Sequence, residues 1–410
     1  MRKWLVGVSV VAGLMAGAAQ AQETVKLGYI DPLSGGGASV GEGGLKTFNW
    51  LADEINTAGG LLGKKVEILP LDSKTNPQEA VVQAQKAIDA GARFITQGNG
   101  SSVAAALSDF VTKYNERNPG KEVLYFNYAA VDDSLTNDKC SFWHFRWDAN
   151  SGIKMAAITS YLKAHPEVKK VYLINQDYSF GQGFRKLAVA MLKEKRPDIE
   201  IVGDELHPLL KITDFSPYVA KIKASGADSV LTGNWGQDIA LLLKSAADAG
   251  LQANWYTYYA GGAGGPTAIK QTGLNGKVHD IVEGDANTAI EAAQKTETDF
   301  RKKLNMGIWY PRAFNEMRMF AQAVKAANSL DPKAVALKLE GMTSDVFDGG
   351  KGTMRKDDHQ FFQDMYIRSF GPLAAGQKFD EENTGWGWTV KGKIASADTN
   401  VPTTCKMERP

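Results

Sequence analysis

Short apolar runs alternate along this chain with stretches whose apolar residues recur at helical spacing. That alternation confines the chain to an α/β architecture with parallel sheets more firmly than any single motif does. Residues 25–30 (VKLGYI) predict the first strand, and Leu45, Phe48, Leu51 and Ile55 then follow a helical period that Gly59-Gly60 stops. Residues 66–70 predict a second strand. Asn76-Pro77, with Glu79 in the first turn, predicts a capped helix carrying Val81, Ala84 and Ile88. Further strands are predicted at 94–96, 123–126, 170–175, 199–202 and 229–232, with helices at 102–115, 152–164, 181–194 and 237–249. Asp331-Pro332 opens one more helix; beyond Thr343 the helical period is lost and short strands are expected.

The first residues carry an export signal. Arg2 and Lys3 precede an apolar stretch, and Ala19-Gln20-Ala21 forms a small-x-small cleavage site, so residues 1–21 are expected to be a cleaved signal peptide with Gln22 as the first mature residue. The stretch falls short of the ~20 apolar residues of a spanning helix, and no lipobox cysteine precedes the cleavage site. An exported protein without direct membrane insertion is expected. A chain of 410 residues exceeds what one core fills, so two lobes are expected. Lys and Arg number 47 against 46 Asp and Glu, with no block of like charge, which argues against nucleic acid or a membrane surface as partner. Two cysteines, Cys140 and Cys405, are an even count in an exported chain. A bridge between them would tie the C-terminal tail to mid-chain; two separate buried thiols are the alternative.

The glycine-rich loop at 34–44, SGGGASVGEGG, lies between the first strand and first helix. Gly37-Ala38-Ser39-Val40-Gly41 matches the nucleophile-elbow pattern G-x-S-x-G, which keeps open a secreted serine hydrolase using Ser39, with Asp357 or Asp358 and His359 as its only tempting partners. Asp31-Pro32-Leu33 and further glycines separate that serine from the strand end where an elbow belongs. A dinucleotide fingerprint would fuse its glycines tightly to the helix start, whereas this loop is too long, and no Walker motif or zinc-ligand spacing occurs. No cofactor or metal is expected. The third reading is recognition without chemistry: helix N-termini offer unpaired N–H groups and partial positive charge to a carboxylate, and glycine permits close approach. Gly98-Asn99-Gly100-Ser101-Ser102 repeats the feature after the 94–96 strand, so the floor of an anion-binding cleft is expected from these two helix starts.

The segments VKLGYIDPLSG, LADEINTAGGLLGKKVEI, DSKTNPQEAV, AAVDDSLT, NQDYSFGQGF and TDFSPYVAKIKASGAD together resemble the type I periplasmic solute-binding proteins of the leucine/isoleucine/valine transport group. The resemblance covers nearly all of the mature chain. It implies two Rossmann-like lobes with parallel central sheets, a Venus-flytrap joined by a three-crossover hinge. It also implies a monomeric receptor, not an enzyme, that captures a small carboxylate-bearing solute of the hydrophobic or branched-chain amino acid type and delivers it to an ABC permease in the inner membrane. The first lobe would comprise 24–146 plus 284–345 and the second 147–283 plus 346–390, with 391–410 as a tail. The family's carboxylate-binding serine matches Ser101, beside Ser102, and its Ala-Ala-Thr loop matches Ala129-Ala130-Val131, so a valine stands where a threonine hydroxyl would help hold an amine. Cleft aromatics match Phe180 and Trp235, joined by Tyr128, Tyr178, Tyr258 and Tyr259, each of which is also compatible with plain core packing. The family's ammonium-binding glutamate has no counterpart, since no acid occurs between Asp248 and Asp280. Either Asp132 or Asp133 replaces it, or the ligand is an aromatic or other organic acid that carries no amine.

Overall fold

The computed structural model describes residues 24–410, so the expected leader at 1–21 lies outside the described residues. Strand β1 (Thr24–Asp31) is buried along most of its length, as a central parallel strand must be. β2 (Lys65–Asp72) and β3 (Phe94–Gln97) flank it in parallel, and β4 (Leu124–Asn127) and β5 (His144–Arg146) complete a sheet of order β2-β1-β3-β4-β5. Helices α1 (Ala38–Thr57), α2 (Pro77–Asp89) and α3 (Ser101–Arg117) connect the first four strands. The Asn76 side chain accepts the Glu79 N–H at 2.9 Å, the cap that the sequence predicts.

The second sheet follows α4 (Ser151–Leu162). It takes β6 (Lys170–Gln176), β7 (Glu200–His207), β8 (Ser229–Thr232), β9 (Asn254–Thr257) and β10 (Val278–Val282), with α5 (Ser179–Lys195), α6 (Ser216–Ser225), α7 (Gln237–Asp248) and α8 (Gly265–Thr272) between them. The chain then runs through α9 (Glu291–Leu304), α10 (Pro311–Ala327) and α11 (Pro332–Leu339). A small sheet of β11 (Thr343–Asp345), β12 (Lys351–Met354) and β13 (Phe361–Phe362) comes next, before β14 (Met365–Pro372) and β15 (Trp386–Ile394). The second sheet has the order β15-β14-β10-β9-β8-β6-β7. It is not wholly parallel, contrary to expectation: β14 runs antiparallel to β10, and β15 antiparallel to β14. A parallel neighbour needs a helical crossover from the same sheet, whereas β14 enters directly from the other lobe and β15 follows by a return loop.

Apolar packing shows where the chain changes lobe. Leu27, Phe48 and Phe126 share one core with Phe300, Phe314 and Phe320, so α9 and α10 return to the first sheet. The second sheet carries a core on each face, one around Leu173, Phe184 and Ile281 and the other around Ile174, Leu243 and Trp255. Val346, Phe347, Met354 and Phe361 belong to the first core. The division expected between 345 and 346 therefore moves to the short link between Phe362 and Met365. The tail also starts later than 391, because β15 runs to Ile394. Cys140 and Cys405 are disulfide-bonded across 265 residues, with Cα atoms 5.7 Å apart.

Candidate functional site

A cavity lies between the lobes, and its first-lobe wall includes the turn from β3 into α3. Gly98 is required there because a Cβ would stand 2.7 Å from the Tyr128 ring and 2.8 Å from Ala129 Cβ. Gly100 holds φ +100, a conformation that suits glycine, and α3 starts at the next residue. The first backbone bond of the helix runs from Ala104 N–H to Gly100 C=O, which leaves the N–H groups of Ser101, Ser102 and Val103 without an intrahelical acceptor. Ser101 is buried and its Oγ accepts the Asp132 N–H at 3.2 Å, so its own proton remains to be donated. Beneath the turn, the Asp31 carboxylate accepts from Asn99 N–H (2.7 Å), Gly98 N–H (3.3 Å) and the Tyr128 hydroxyl (2.5 Å). Burial pushes the Asp31 carboxyl up to about 6 against the pull of these bonds.

Ala129, Ala130 and Val131 line the cavity, held by Asn127 Oδ1, which accepts the Ala130 N–H at 2.8 Å and the Ala129 N–H at 3.2 Å. The second lobe contributes rings at the ends of its strands: Tyr178 and Phe180 after β6, Trp235 after β8, Tyr258 and Tyr259 after β9. Trp235 Nε1 donates to the Tyr178 hydroxyl at 2.8 Å, and Phe180 packs at centroid distances of 5.7 and 6.4 Å from Tyr178 and Tyr259. The Tyr178 hydroxyl oxygen thus satisfies the Trp235 N–H and keeps its own proton to donate, and both rings line the cavity. At the lips, Gly36 packs against Gln237 and Leu210, which closes the cleft over these walls.

Ser101, the 129–131 loop, Tyr178, Phe180, Trp235 and Tyr259 are therefore brought together from both lobes. Ser102 and Tyr128 are not among the lining residues. Ser102 is half-buried in the first turn of α3, and Tyr128 is wholly buried behind the turn. The long glycine loop is not a second anion-binding floor; of residues 34–44 only Val40 reaches the cavity. Its glycines serve packing instead: a Cβ on Gly41 would lie 1.8 Å from the Pro32 carbonyl oxygen, and one on Gly44 would lie 2.2 Å from the Tyr29 hydroxyl. The proposed replacements for the missing glutamate are also occupied elsewhere. Asp132 accepts the Ser134 N–H and Asp133 the Gly152 N–H, and neither lines the cavity. Ser39 is exposed, while His359 is wholly buried with its ring nitrogens against Glu340 (2.9 Å) and the His144 carbonyl (3.2 Å), so no Ser-His pair forms.

Sequence reasoning missed an ionic quartet behind the rings. Lys154 Nζ lies 2.8 Å from Asp148 Oδ1 and 3.9 Å from Glu283 Oε2, and Arg312 pairs with Asp148 (3.3 Å) and Glu283 (2.7 Å). All four are buried. Burial opposes the Arg312 charge, and the two carboxylates more than reverse that, raising its pKa. No local signal marks these residues, because they come from widely separated segments.

The sequence profile of the periplasmic binding protein family matches residues 24–376. The chain belongs to that family. This periplasmic binding protein is 34% identical over 424 aligned residues to the Leu/Ile/Val-binding protein homolog 4 of Brucella abortus (strain 2308), covering 98% of each chain. It is also 28% identical to homolog 7 of Brucella suis biovar 1 (strain 1330) over 69% of each. Among solved structures, the leucine-, isoleucine-, valine-, threonine- and alanine-binding protein from Brucella ovis in its closed conformation superposes with a TM-score of 0.84 at 32% identity, covering 95% of this chain and all (100%) of that one. A solute-binding protein of an ABC transporter from R. palustris in complex with benzoate superposes with a TM-score of 0.77 at 19% identity over 94% of this chain and 100% of that one, a likeness of fold alone. Family and fold place the chain among solute-binding proteins rather than enzymes. Among the described residues, no helix is long and apolar enough to cross a membrane.

Proposed function

We propose that this protein is the exported receptor of an ABC importer, which captures a small carboxylate-bearing solute in the interlobe cavity and hands it to an inner-membrane permease. The observation that carries the reading is the start of α3, where the N–H and hydroxyl of Ser101, at a helix N-terminus, line the cavity together with a wall of aromatic rings from the other lobe. A carboxylate fits the first and an apolar body the second. A hydrophobic or branched-chain amino acid is the first choice of ligand, supported by the names of the Brucella relatives. The second reading is an aromatic or other acid without an amine. It is favoured by the absence, among the described residues, of any carboxylate at the 98–101 turn or the 129–131 loop that faces the cavity, and by the fold likeness to a benzoate receptor.

Calorimetric titration of ligand-stripped protein with leucine, 4-methylpentanoate and benzoate separates them. Leucine binding at least about tenfold tighter than its amine-free analogue supports the amino acid reading, and the reverse order supports the organic acid. Saturable binding of none of the three, nor of any other small acid, would overturn the receptor reading.

A further inference from the structure

The cavity has a polar end as well as a carboxylate end. Arg312, in the first turn of α10, lines it, and the guanidinium is divided between two tasks. Nη1 donates to Glu283 Oε1 at 2.7 Å and Nε faces Asp148 Oδ2 at 3.3 Å, which ties α10 to the first crossing between the lobes and to the start of the second. The remaining nitrogen, Nη2, has no hydrogen-bond partner among the described residues, and it is not among the polar atoms sealed off by protein. The ring of Tyr259 lies 6.0 Å and that of Tyr310 5.0 Å from the guanidinium carbon. Three short links connect this group to the 129–131 loop: Ala129 O to the Tyr259 hydroxyl (3.5 Å), that hydroxyl to Asp148 Oδ2 (3.2 Å), and the same oxygen to Arg312 Nε (3.3 Å).

We infer that Arg312 is a second anchor of the cleft, whose Nη2 takes an uncharged oxygen acceptor, a hydroxyl or carbonyl oxygen, carried by a monocarboxylate solute at the end opposite its carboxylate. The inference rests on the carboxylate-receptor reading above. Charge selects the class of acceptor. Lys154 and Arg312 face Asp148 and Glu283, two cations against two carboxylates, all buried, so the quartet is already balanced. A second ligand carboxylate would add a buried negative charge beside a quartet that is already neutral, since the other guanidinium lining the cavity, Arg368, is itself paired with Asp280 and Asp285. A cationic group would lie against the guanidinium. A neutral oxygen satisfies the open donor at no charge cost, and a hydrogen bond from a charged donor is stronger than a neutral one. Because the same side chain holds both crossings, its contact with the solute also braces the hinge in the closed form.

The test titrates wild type and Arg312→Lys with benzoate, 4-hydroxybenzoate and terephthalate, and with pentanoate and 4-oxopentanoate. The lysine keeps the positive charge against Asp148 and Glu283 but loses the planar fork and its third nitrogen. In wild type, at least one oxygenated acid should bind about tenfold or more tighter than its parent, and terephthalate should bind more weakly than 4-hydroxybenzoate. In Arg312→Lys that preference should fall to about one, whatever the change in the parent acid's own affinity. The anchor is refuted if the parents bind to wild type and neither oxygenated acid gains, if the preference survives in the variant, or if terephthalate binds tightest. Failure of every acid to bind wild type would instead refute the carboxylate-receptor reading. The wild-type comparison stands even if Arg312→Lys does not fold.

Discussion

Ser39 and Ser101 show how little a residue type says without its surroundings. Both sit in the first turn of a helix that follows a glycine-rich loop. Ser39 is exposed, whereas Ser101 is buried at the end of the cleft with its oxygen fixed by the Asp132 N–H and its proton uncommitted. Ser101→Ala should weaken binding of the best acid by about 1–3 kcal/mol, the cost of a lost bond to a charged group. Ser39→Ala should change it by less than about 0.5 kcal/mol. Equal losses by calorimetry would show that the carboxylate is held elsewhere. Glu316 is a second case, since its carboxyl is wholly buried on α10, accepts one bond from Thr96 Oγ1 at 2.7 Å and is pushed by burial up to about 8.

At the scale of elements, α1 is shaped by what it must approach. The Tyr29 hydroxyl donates to Gly41 C=O at 2.7 Å, and the helix sits so close to Pro32 and to the Tyr29–Tyr128 pair that positions 41 and 44 have no room for a methyl group. Gly41→Ala should destabilise the protein by about 1–3 kcal/mol or more in denaturant melts, because the obstruction is backbone. Gly183, inside α5, meets nothing within 4 Å, so Gly183→Ala should stabilise by about 0.5–1 kcal/mol through helix propensity alone. A stabilising effect at 41 would contradict the packing account. The sequence shows glycines at both sites and gives no means of telling the two roles apart. It did show α2, since Asn76, Pro77 and Glu79 act locally, but not α10, whose buried residues run almost continuously from Pro311 to Phe320 and include Arg312, Asn315 and Glu316. The apolar Ala313, Met317, Phe320 and Val324 do recur at helical spacing there, but Arg312, Asn315 and Glu316 are buried beside them, which residue polarity alone does not announce.

For the whole molecule, the tail adds a fourth link between the lobes. Ser396 N–H donates to Asp364 and the following turn packs on α4 of the second lobe; Thr403 then bonds Thr136 C=O at 2.8 Å and Cys405 is bridged to Cys140 in the first. Cys405→Ser should cost about 2–5 kcal/mol in stability. It should also let the ligand-free protein open further, read as a larger radius of gyration in X-ray scattering; an unchanged radius and melting temperature would mean that the tail restrains nothing. Stability should fall as the pH rises above ~6.5. Above it, Glu316 and Glu381, both pushed up to about 8 chiefly by burial, still hold protons that the unfolded chain has released, so raising the pH toward 8 favours unfolding. Below it two sets of groups oppose each other: His279 and His359, lowered to about 4 mainly by burial, stay neutral while the unfolded chain's imidazoles take up protons, whereas Asp31 and Asp133, raised to about 6 by burial, keep protons that the unfolded chain releases. Melting temperatures from pH 5 to 8.5 check the shape, and Glu316→Gln should flatten the alkaline side.

The sequence by itself determined the alternating α/β layout, the capped start of α2, the cysteine pair and the start of α3, because each depends on residues that are neighbours in the chain or on a count. Through segments that resemble a family it also pointed to Ser101, the 129–131 loop and the rings of Tyr178, Phe180, Trp235, Tyr258 and Tyr259, but not to the lining supplied around 280–286, 308–312, 347, 368, 381 and 388. Only the tertiary structure decided which glycines pack and which line the cleft, that the second sheet closes with antiparallel strands, and that Asp148, Lys154, Glu283 and Arg312 meet at all. Those outcomes depend on three crossings that bring together segments far apart in sequence, and no local period or spacing encodes that meeting.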